Sequence, residues 1–304
     1  MTQTTFATAL AEPNQLSQVA PWDIDFRQMS AGTGETRVSV RNSRSLFALR
    51  LGMQCDVHQF GASPKDLVTF GYSRPGALKT WMRGEVPEGA LYCFGSGQEF
   101  ESVSRAGFAG VTLSIPTTDI WKMADELGLN CHRRVEDCGL LDLSASPWIL
   151  KSVSNAVDQF FELPEHSDGR DQVDEICLSF LRATTDTPDS AVRTNHRLRE
   201  RSLRRALEFI EARADDFPGI RELCVQSGAS WTTLNRAFFD HFNIGPKKYL
   251  TNLRLNRVRT ELLGAPAGTK VADIANQWGF WHMGQFAADY RRFFNCLPSE
   301  HLHR

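Results

Sequence analysis

The C-terminal part of the chain contains one pattern of small, glycine and aromatic residues twice. The two copies are formed by Cys224, Gly228, Leu234, Phe238, Asn243 and Pro246, and by Ala275, Gly279, Phe286, Tyr290, Asn295 and Pro298. A repeat of roughly 50 residues with the same types of residue at corresponding positions indicates an internal duplication. Two similar units in tandem restrict this part of the chain to a repeated fold.

Each copy has the sequence features of a helix-turn-helix. A small residue allows two helices to cross closely, and Gly228 and Gly279 tolerate the left-handed backbone of a short turn. Ser230 is a strong N-cap for the helix that follows the first turn, whereas His282 is a poor one for the second. The two recognition helices are predicted at 230–242 and 282–294. Each has one apolar stripe, formed by Leu234, Phe238 and Phe242 in the first and by Phe286, Tyr290 and Phe294 in the second.

This pattern resembles the AraC/XylS family of bacterial transcription regulators over residues 197–304. The residues that carry the resemblance are Ala275, Gly279, Phe280, Phe286, Tyr290, Arg291, Phe294 and Pro298. The stretch Leu253–Arg259 is similar to the long helix that links the two motifs in that family. Asn295, Leu297 and His301 differ from the residues that are usual at their positions.

The resemblance implies two sets of residues that contact DNA. They are Trp231, Thr232, Asn235 and Arg236 in the first motif, and Trp281, His282, Met283 and Gln285 in the second. Arg236 can pair with guanine and Asn235 with adenine, each contact contributing about 1–3 kcal/mol of discrimination. Only Gln285 is a good hydrogen-bonding side chain in the second set. We therefore expect the first motif to recognise more of the base sequence.

Charge is distributed unevenly along the chain. Residues 193–304 hold 18 lysines and arginines against 11 aspartates and glutamates, and residues 1–192 hold 16 against 25. A basic C-terminal module is expected where one half of a protein meets phosphate. The polar, proline-bearing stretch 183–195 is predicted to be a linker. It separates an N-terminal domain, residues 1–182, from a DNA-binding domain, residues 196–304.

The chain has no apolar stretch of roughly 18 residues and no signal-peptide pattern. Its seven cysteines follow no disulfide or zinc spacing. We therefore expect a cytoplasmic protein with no contact to a membrane.

The N-terminal half is predicted to be strands followed by helices. Beta-prone runs lie at 38–40, 46–51, 68–70, 91–94 and 111–115, and helical periodicity starts at Thr117. The fold class is therefore α+β, with an N-terminal β-sandwich or barrel and an all-α C-terminal domain. The family resemblance implies a cupin-like barrel with a helical dimerisation tail. Candidate ligand-binding residues of the barrel are His58, Trp81, Tyr92 and Gln98.

Enzymatic function is not expected. A metal-binding cupin needs His-x-His, and His58 has no second histidine within two residues, so we expect no metal and no cofactor. The sequence Cys131-His132-Arg133 resembles the core around the acceptor cysteine of DNA alkyltransferases. We reject that alternative because Asn130 replaces the proline that precedes the acceptor cysteine. No catalytic residue is assigned.

Together these features predict a sequence-specific DNA-binding transcription regulator. The family resemblance implies a homodimer on promoter repeats, activation through RNA polymerase, and a small-molecule effector held by the N-terminal domain. The alternative is an effector-independent or partner-controlled regulator whose N-terminal domain only dimerises, through the helix Val153–Phe160. The sequence does not separate these two interpretations, because an apolar barrel interior and an apolar pocket have the same composition.

Overall fold

A computed structural model shows how the chain folds. It describes residues 5–10, 13–73, 81–82, 91–129, 131, 135, 140–143, 147–164, 167–186, 198–213 and 218–302. The chain forms two compact units. Unit 1 comprises residues 1–26, 35–54 and 59–193, and unit 2 comprises residues 27–34, 55–58 and 194–304. Two short segments of the first sixty residues therefore fold with the C-terminal part of the chain.

The strands form two sheets. They are β1 (Thr5–Leu10), β2 (Asp23–Gln28), β3 (Thr36–Asn42), β4 (Phe47–Met53), β5 (Val57–Ala62), β6 (Leu67–Ser73), β7 (Trp81–Met82), β8 (Leu91–Phe94), β9 (Glu99–Ser104), β10 (Ala109–Pro116) and β11 (Leu140–Leu143). The larger sheet has the order β1-β3-β4-β10-β6-β8-β11, and the smaller has β2-β5-β9-β7. The predicted β-rich N-terminal half is confirmed.

The centre of the larger sheet explains why its strands could be predicted. In β6 all seven residues are buried, and β10 pairs with it antiparallel, with Leu113 opposite Phe70. A strand that is covered on both faces is an almost continuous run of apolar residues. Runs of this kind predicted β6, β8 and β10, whereas the β-prone runs that predicted β3 and β4 lie in strands that are only partly buried.

Three helices of unit 1 are α1 (Thr117–Glu126), α2 (Pro147–Glu162) and α3 (Arg170–Asp186). Their apolar residues join the hydrophobic core of the larger sheet, where the ring of Phe180 stacks on that of Phe70 at a centroid distance of 4.1 Å. Val153, Val157 and Phe160 are at most 1% exposed in this core. The apolar face of the helix Val153–Phe160 is thus used within the protomer, and dimerisation through the rest of this helix stays a prediction.

Helix α3 extends into the predicted linker. Ala183 and Thr184 are buried in its last turn, and the Thr184 hydroxyl donates a hydrogen bond to the Phe180 carbonyl, 2.8 Å away. Residues 183–186 are therefore helical and not linker. Residues 187–197, the rest of the predicted linker among them, lie outside the described residues.

The C-terminal helices are α4 (Leu198–Glu211), α5 (Ile220–Ser227), α6 (Trp231–Phe242), α7 (Pro246–Gly264), α8 (Val271–Gln277), α9 (Met283–Phe294) and α10 (Pro298–Leu302). Helices α6 and α9 are the two predicted recognition helices, and each begins one residue after its N-cap, Ser230 or His282. Both end at an asparagine with left-handed backbone, Asn243 with φ 60° and Asn295 with φ 59°. The predicted tandem helix-turn-helix is confirmed.

The second motif has a closed aromatic core. Ala275 and Tyr290 are fully buried, together with Phe286 and Phe294. The Tyr290 hydroxyl and Nδ1 of His301 share a hydrogen bond of 2.7 Å, and His301 is only 2% exposed. His301 therefore fills an interior position where the family usually has an aromatic residue.

Candidate nucleic-acid interface

The first recognition helix is held at its start by a side-chain cap. Gly228 ends α5 in left-handed conformation, φ 65°, which turns the chain towards α6. The Ser230 hydroxyl then accepts a hydrogen bond from the Thr233 backbone N–H, 3.2 Å away. At the equivalent place in the second motif the side chain of His282 makes no capping hydrogen bond.

This difference predicts that Ser230→Ala will destabilise unit 2 by about 1 kcal/mol, because one N–H of the first turn loses its acceptor. His282→Ala should change the stability much less, since no capping bond is lost. Urea denaturation of both variants measures the difference. Equal losses of stability in the two variants would contradict the capping assignment.

Helix α6 presents one polar face to solvent. Leu234 and Phe238 are completely buried, whereas Trp231 is 47% exposed and Thr232 and Arg236 are exposed. Each side chain on this face can therefore approach a base edge without disturbing the core.

Asn235 differs from the other predicted contacts of the first motif. It is half-buried, and its Oδ1 lies 2.9 Å from the position that a Cβ on Gly245 would occupy. The amide is therefore turned towards the start of α7. Contact with an adenine would require rotation of this side chain, so Arg236 is the better placed of the two base-reading candidates.

Helix α9 presents a weaker set of hydrogen-bonding groups. Trp281 is 73% exposed, and His282 and Gln285 are also exposed. Met283 is half-buried and packs against the core of the second motif. Its predicted contact with DNA is therefore limited to the exposed part of the side chain.

The structure adds two arginines that the sequence analysis did not single out as contacts. Arg205 Nη1 lies 3.6 Å from the position of a Cβ on Gly228, and Arg254 Nη1 lies 3.9 Å from the position of one on Gly279. Each turn is thus flanked by a guanidinium from the helix that precedes its motif, α4 or α7. The similar spacing from arginine to glycine in the two copies is the sequence signal that could have identified them.

A small cavity of about 50 Å³ lies inside unit 1. Trp22, Phe94 and Phe100 line it with edge-to-face ring contacts at centroid distances of 5.2–5.6 Å. No charged side chain is among the described residues that line it. These residues are Leu16, Trp22, Ile24, Phe26, Leu49, Leu51, Gln59, Tyr92, Phe94, Phe100, Ser102, Ser104, Phe108, Gly110, Val111 and Thr112.

The polar groups of this cavity are few. Gln59 donates a hydrogen bond to the Ser104 hydroxyl, 2.7 Å away, and accepts one from Ser102 at 3.1 Å. The indole Nε1 of Trp22 and the hydroxyl of Thr112 have no hydrogen-bond partner among the described residues. Burial raises the pKa of the Tyr92 hydroxyl above its ordinary value, which keeps that group neutral.

The four candidate ligand-binding residues are separated in the structure. Tyr92 lines the cavity, and the side chain of Trp81 lies outside the described residues. Gln98 lies in the turn between β8 and β9, where its backbone N–H donates to the Ser63 hydroxyl at 2.9 Å. Gln98 is therefore not among the described residues that line this cavity.

His58 is also not a pocket residue. It belongs to unit 2, is 1% exposed, and shares a hydrogen bond of 3.1 Å between its Nδ1 and the Tyr249 hydroxyl. The physical reason is the alternation of a strand, which turns His58 and Gln59 to opposite faces of β5. Gln59, which was not predicted, is the residue of this pair that lines the cavity.

The environment of Cys131 does not favour a nucleophile. Cys131 is 2% exposed in the apolar core of unit 1, and Cys93 belongs to the same cluster. Burial, with Cys131 nearby, raises the pKa of Cys93 well above its ordinary value. A thiolate is therefore disfavoured in this core. His132 and Arg133 lie outside the described residues.

In the described part of the chain, no cluster of three histidine, cysteine or acidic side chains is arranged to hold a metal ion. None of the described helices has the length and apolar character that a membrane span requires.

Two tandem helix-turn-helix motifs with exposed recognition helices define a DNA-binding module. A family model described as a helix-turn-helix domain matches residues 223–304. The probable thc operon regulatory protein of Rhodococcus erythropolis is 34% identical over 101 residues, 33% of this chain and 30% of that protein. The XylDLEGF operon transcriptional activator 1 of Pseudomonas putida is 36% identical over 107 residues, 34% and 31% of the two chains.

Two solved structures are also similar to parts or most of this chain. A transcriptional regulator with an AraC-type DNA-binding domain from Chromobacterium violaceum is 28% identical, with a TM-score of 0.31, covering 34% of this chain and 89% of that chain. ToxT from Vibrio cholerae is 11% identical, with a TM-score of 0.31, covering 99% and 97%. The helix-turn-helix model and the two curated regulators support the resemblance of the C-terminal third of this chain to the AraC/XylS family. The chain spans about a third of the length of the two curated relatives.

Proposed function

We propose that this protein is a sequence-specific DNA-binding transcription regulator. The observation that carries the proposal is the pair of recognition helices, each with a buried aromatic stripe and an exposed face. Helices α6 and α9 would lie in successive major grooves on one side of the duplex. Arg236 and Gln285 would contact base edges, and Trp231 and Trp281 would add apolar contact with thymine methyl groups.

Basic side chains around the motifs support an interface with phosphate. Lys247 and Lys248 are exposed in the first turn of α7, and Arg205 flanks the first turn. Such contacts give affinity and register but do not distinguish sequences. Binding should therefore weaken as salt concentration rises, while the preference for one sequence persists.

Activation, dimerisation and contact with RNA polymerase are the properties that the family resemblance implies for this protein. Two relatives are named as an operon regulator and an operon activator, which supports the same role at a promoter in the cytoplasm. The dimer would place its motifs on promoter repeats. Its contact surface must use residues other than Val153, Val157 and Phe160, which are buried within the protomer.

The cavity of unit 1 is the proposed effector site. A charged effector would lose its hydration there without gaining an ion pair from the described lining residues, none of which is charged. The Trp22 indole can only donate a hydrogen bond, so the effector would supply an acceptor. About 50 Å³ is room for roughly three water molecules. A ring-sized effector would therefore have to displace a side chain such as Tyr92 or Phe108.

This proposal predicts that uncharged aromatic compounds with an acceptor stabilise the folded full-length chain. Benzamide and acetophenone at millimolar concentration should raise the melting midpoint by a few degrees, since a ligand that binds only the folded state shifts unfolding by mass action. Benzoate, the charged counterpart, should have no effect. Trp22→Phe should reduce the response to benzamide. No shift with any uncharged compound would favour the effector-independent alternative.

DNA recognition is tested separately by methylation protection on a duplex selected from random sequence. Two protected stretches of major groove about one helical turn apart, on one face of the duplex, are expected. Uniform protection along the duplex would contradict recognition by two motifs.

A further inference from the structure

A short N-terminal segment is bound within unit 2 by the linking helix. Residues 27–34 belong to this unit, and α7 turns three buried polar side chains towards them. Asn252, Asn256 and Arg259 are 0%, 9% and 5% exposed. Buried polar groups of this kind are costly unless they are hydrogen-bonded, so their partners indicate what this face of the helix is built to hold.

The partners are mainly backbone atoms of the segment. Asn256 Oδ1 accepts from the Gln28 N–H at 3.0 Å, and Asn256 Nδ2 donates to the Gln28 carbonyl at 2.9 Å. Asn252 Nδ2 donates to the Met29 carbonyl at 2.8 Å. The amide of Asn256 thus makes the pair of bonds that a neighbouring strand would make, and α7 holds the segment as an extended peptide.

The same segment contacts the end of the second recognition helix. The Gly32 N–H donates to the Phe293 carbonyl at 3.0 Å, and Gln28 Nε2 lies 3.3 Å from the same oxygen. Arg259 Nη1 donates to Gln28 Oε1 at 3.2 Å and so orients the Gln28 amide. The Phe293 carbonyl is in the last turn of α9, where backbone acceptors lack partners within the helix. The segment therefore caps α9.

The N-terminal segments of unit 2 also contact the first motif and the helix that precedes it. Arg27, whose side chain is 3% exposed, forms a bidentate ion pair with Glu211 at the end of α4, with Nη2 and Oε2 2.8 Å apart. His58, from the second inserted segment, packs edge-on against Phe242, the last residue of α6, at a centroid distance of 5.0 Å. The segment 27–34 thus contacts the C-terminal ends of α9 and α4. The segment 55–58 contacts the C-terminal end of α6.

We propose that residues 27–34 and 55–58 are a positioning brace that fixes the separation and angle of the two recognition helices. The proposal rests on the proposed function and assigns Gln28 and Asn256 as positioning residues, not as DNA contacts. Helix α7 also joins the two motifs. The hydrogen bonds that Asn252, Asn256 and Arg259 make to the segment are buried and directional, so they favour a single geometry for the pair.

The consequence is a single preferred spacing between the two DNA half-sites. Loss of the brace leaves each motif folded on its own aromatic core, so each would still bind its half-site. The pair would then accept several spacings, because its geometry is no longer fixed. A role in stability alone would lower the melting midpoint and leave the spacing preference unchanged.

The test uses the full chain and a library of duplexes in which the two half-sites of the selected site are separated by increments of one base pair. Wild type should prefer one spacing by at least tenfold. Asn256→Leu, which removes both bonds to Gln28, should reduce this preference to about twofold while affinity for a single half-site stays within twofold of wild type. Asn155→Leu, on the exposed face of α2, is the matched control and should behave as wild type.

Gln28→Ala is the second variant, because it removes the contacts with Phe293 and Arg259 but keeps the backbone bonds to Asn256. It should fold even if Asn256→Leu does not, and it should also broaden the spacing preference. An unchanged preference in the folded variants overturns the proposal, as does a loss of half-site affinity without a change in spacing. Failure of wild type to bind any specific site would instead refute the proposed function.

Discussion

Arg236→Ala should lower the affinity of the full chain for its specific site by about 10- to 100-fold. A bidentate arginine–guanine contact contributes about 1–3 kcal/mol of discrimination, and Arg236 is an exposed arginine of the first recognition helix. The loss should be confined to one base position of the site, since the other contacts keep their register. Titration of duplexes that differ by one base pair measures both effects.

The matched control is Arg182→Ala, an exposed arginine on α3 in unit 1. It removes the same charge and should leave the affinity and the base preference unchanged. Gln285→Ala, in the second motif, should cost less than Arg236→Ala because the amide is neutral. An equal loss of affinity for specific and scrambled duplexes in Arg236→Ala would show that this arginine contacts phosphate only.

Phe238→Ala should destabilise unit 2 by about 3–5 kcal/mol, the range for removal of a buried phenylalanine. Phe238 is 0% exposed, and its ring packs against Phe242 and Tyr249 at centroid distances of 5.6 Å and 5.2 Å. The contact with Tyr249 holds α6 on α7. The variant should therefore unfold at lower urea concentration and lose binding at the half-site of the first motif.

Phe239 provides an internal control for this substitution. It is the next residue of the same helix and is 49% exposed. Phe239→Ala should change the stability by less than about 1 kcal/mol, because little burial is lost. Similar losses in the two variants would contradict the packing of α6.

The tandem motif was predictable from sequence because its determinants are local. A left-handed glycine, an N-cap and an apolar stripe with helical period each act within a few residues. The turn that Gly228 and Ser230 predict from the sequence therefore lies at the same residues in the structure. The duplication strengthened the prediction, since two copies with the same constraints rarely occur without the same fold.

Strand β2 was missed by the sequence analysis because its polar residues are satisfied by distant partners. In β2, residues Arg27 and Gln28 are polar yet buried, because Glu211 and Asn256 satisfy them from more than 180 positions away. Periodicity records only whether apolar and polar neighbours alternate, so it gave no signal for a strand in this stretch. For the same reason it did not place residues 27–34 in the DNA-binding unit.

The pocket and the dimer surface were ambiguous for another reason. An apolar helical stripe looks the same whether it packs on its own sheet or on a second copy, and the structure places Val153 and Phe160 in the protomer core. Similarly, His58 and Gln59 are neighbours in sequence, but the strand directs them to opposite faces. His58 was predicted to bind a ligand because of its residue type, whereas Gln59 is the residue that lines the cavity in the structure.

The most direct test of the central claim is to capture genomic DNA with the purified full chain and sequence the bound fragments. The account predicts one shared motif with two half-sites about one helical turn apart, retained at physiological salt and weakened at one base position by Arg236→Ala. Bound fragments without a shared motif, released in proportion to salt and unaffected by Arg236→Ala, would contradict it.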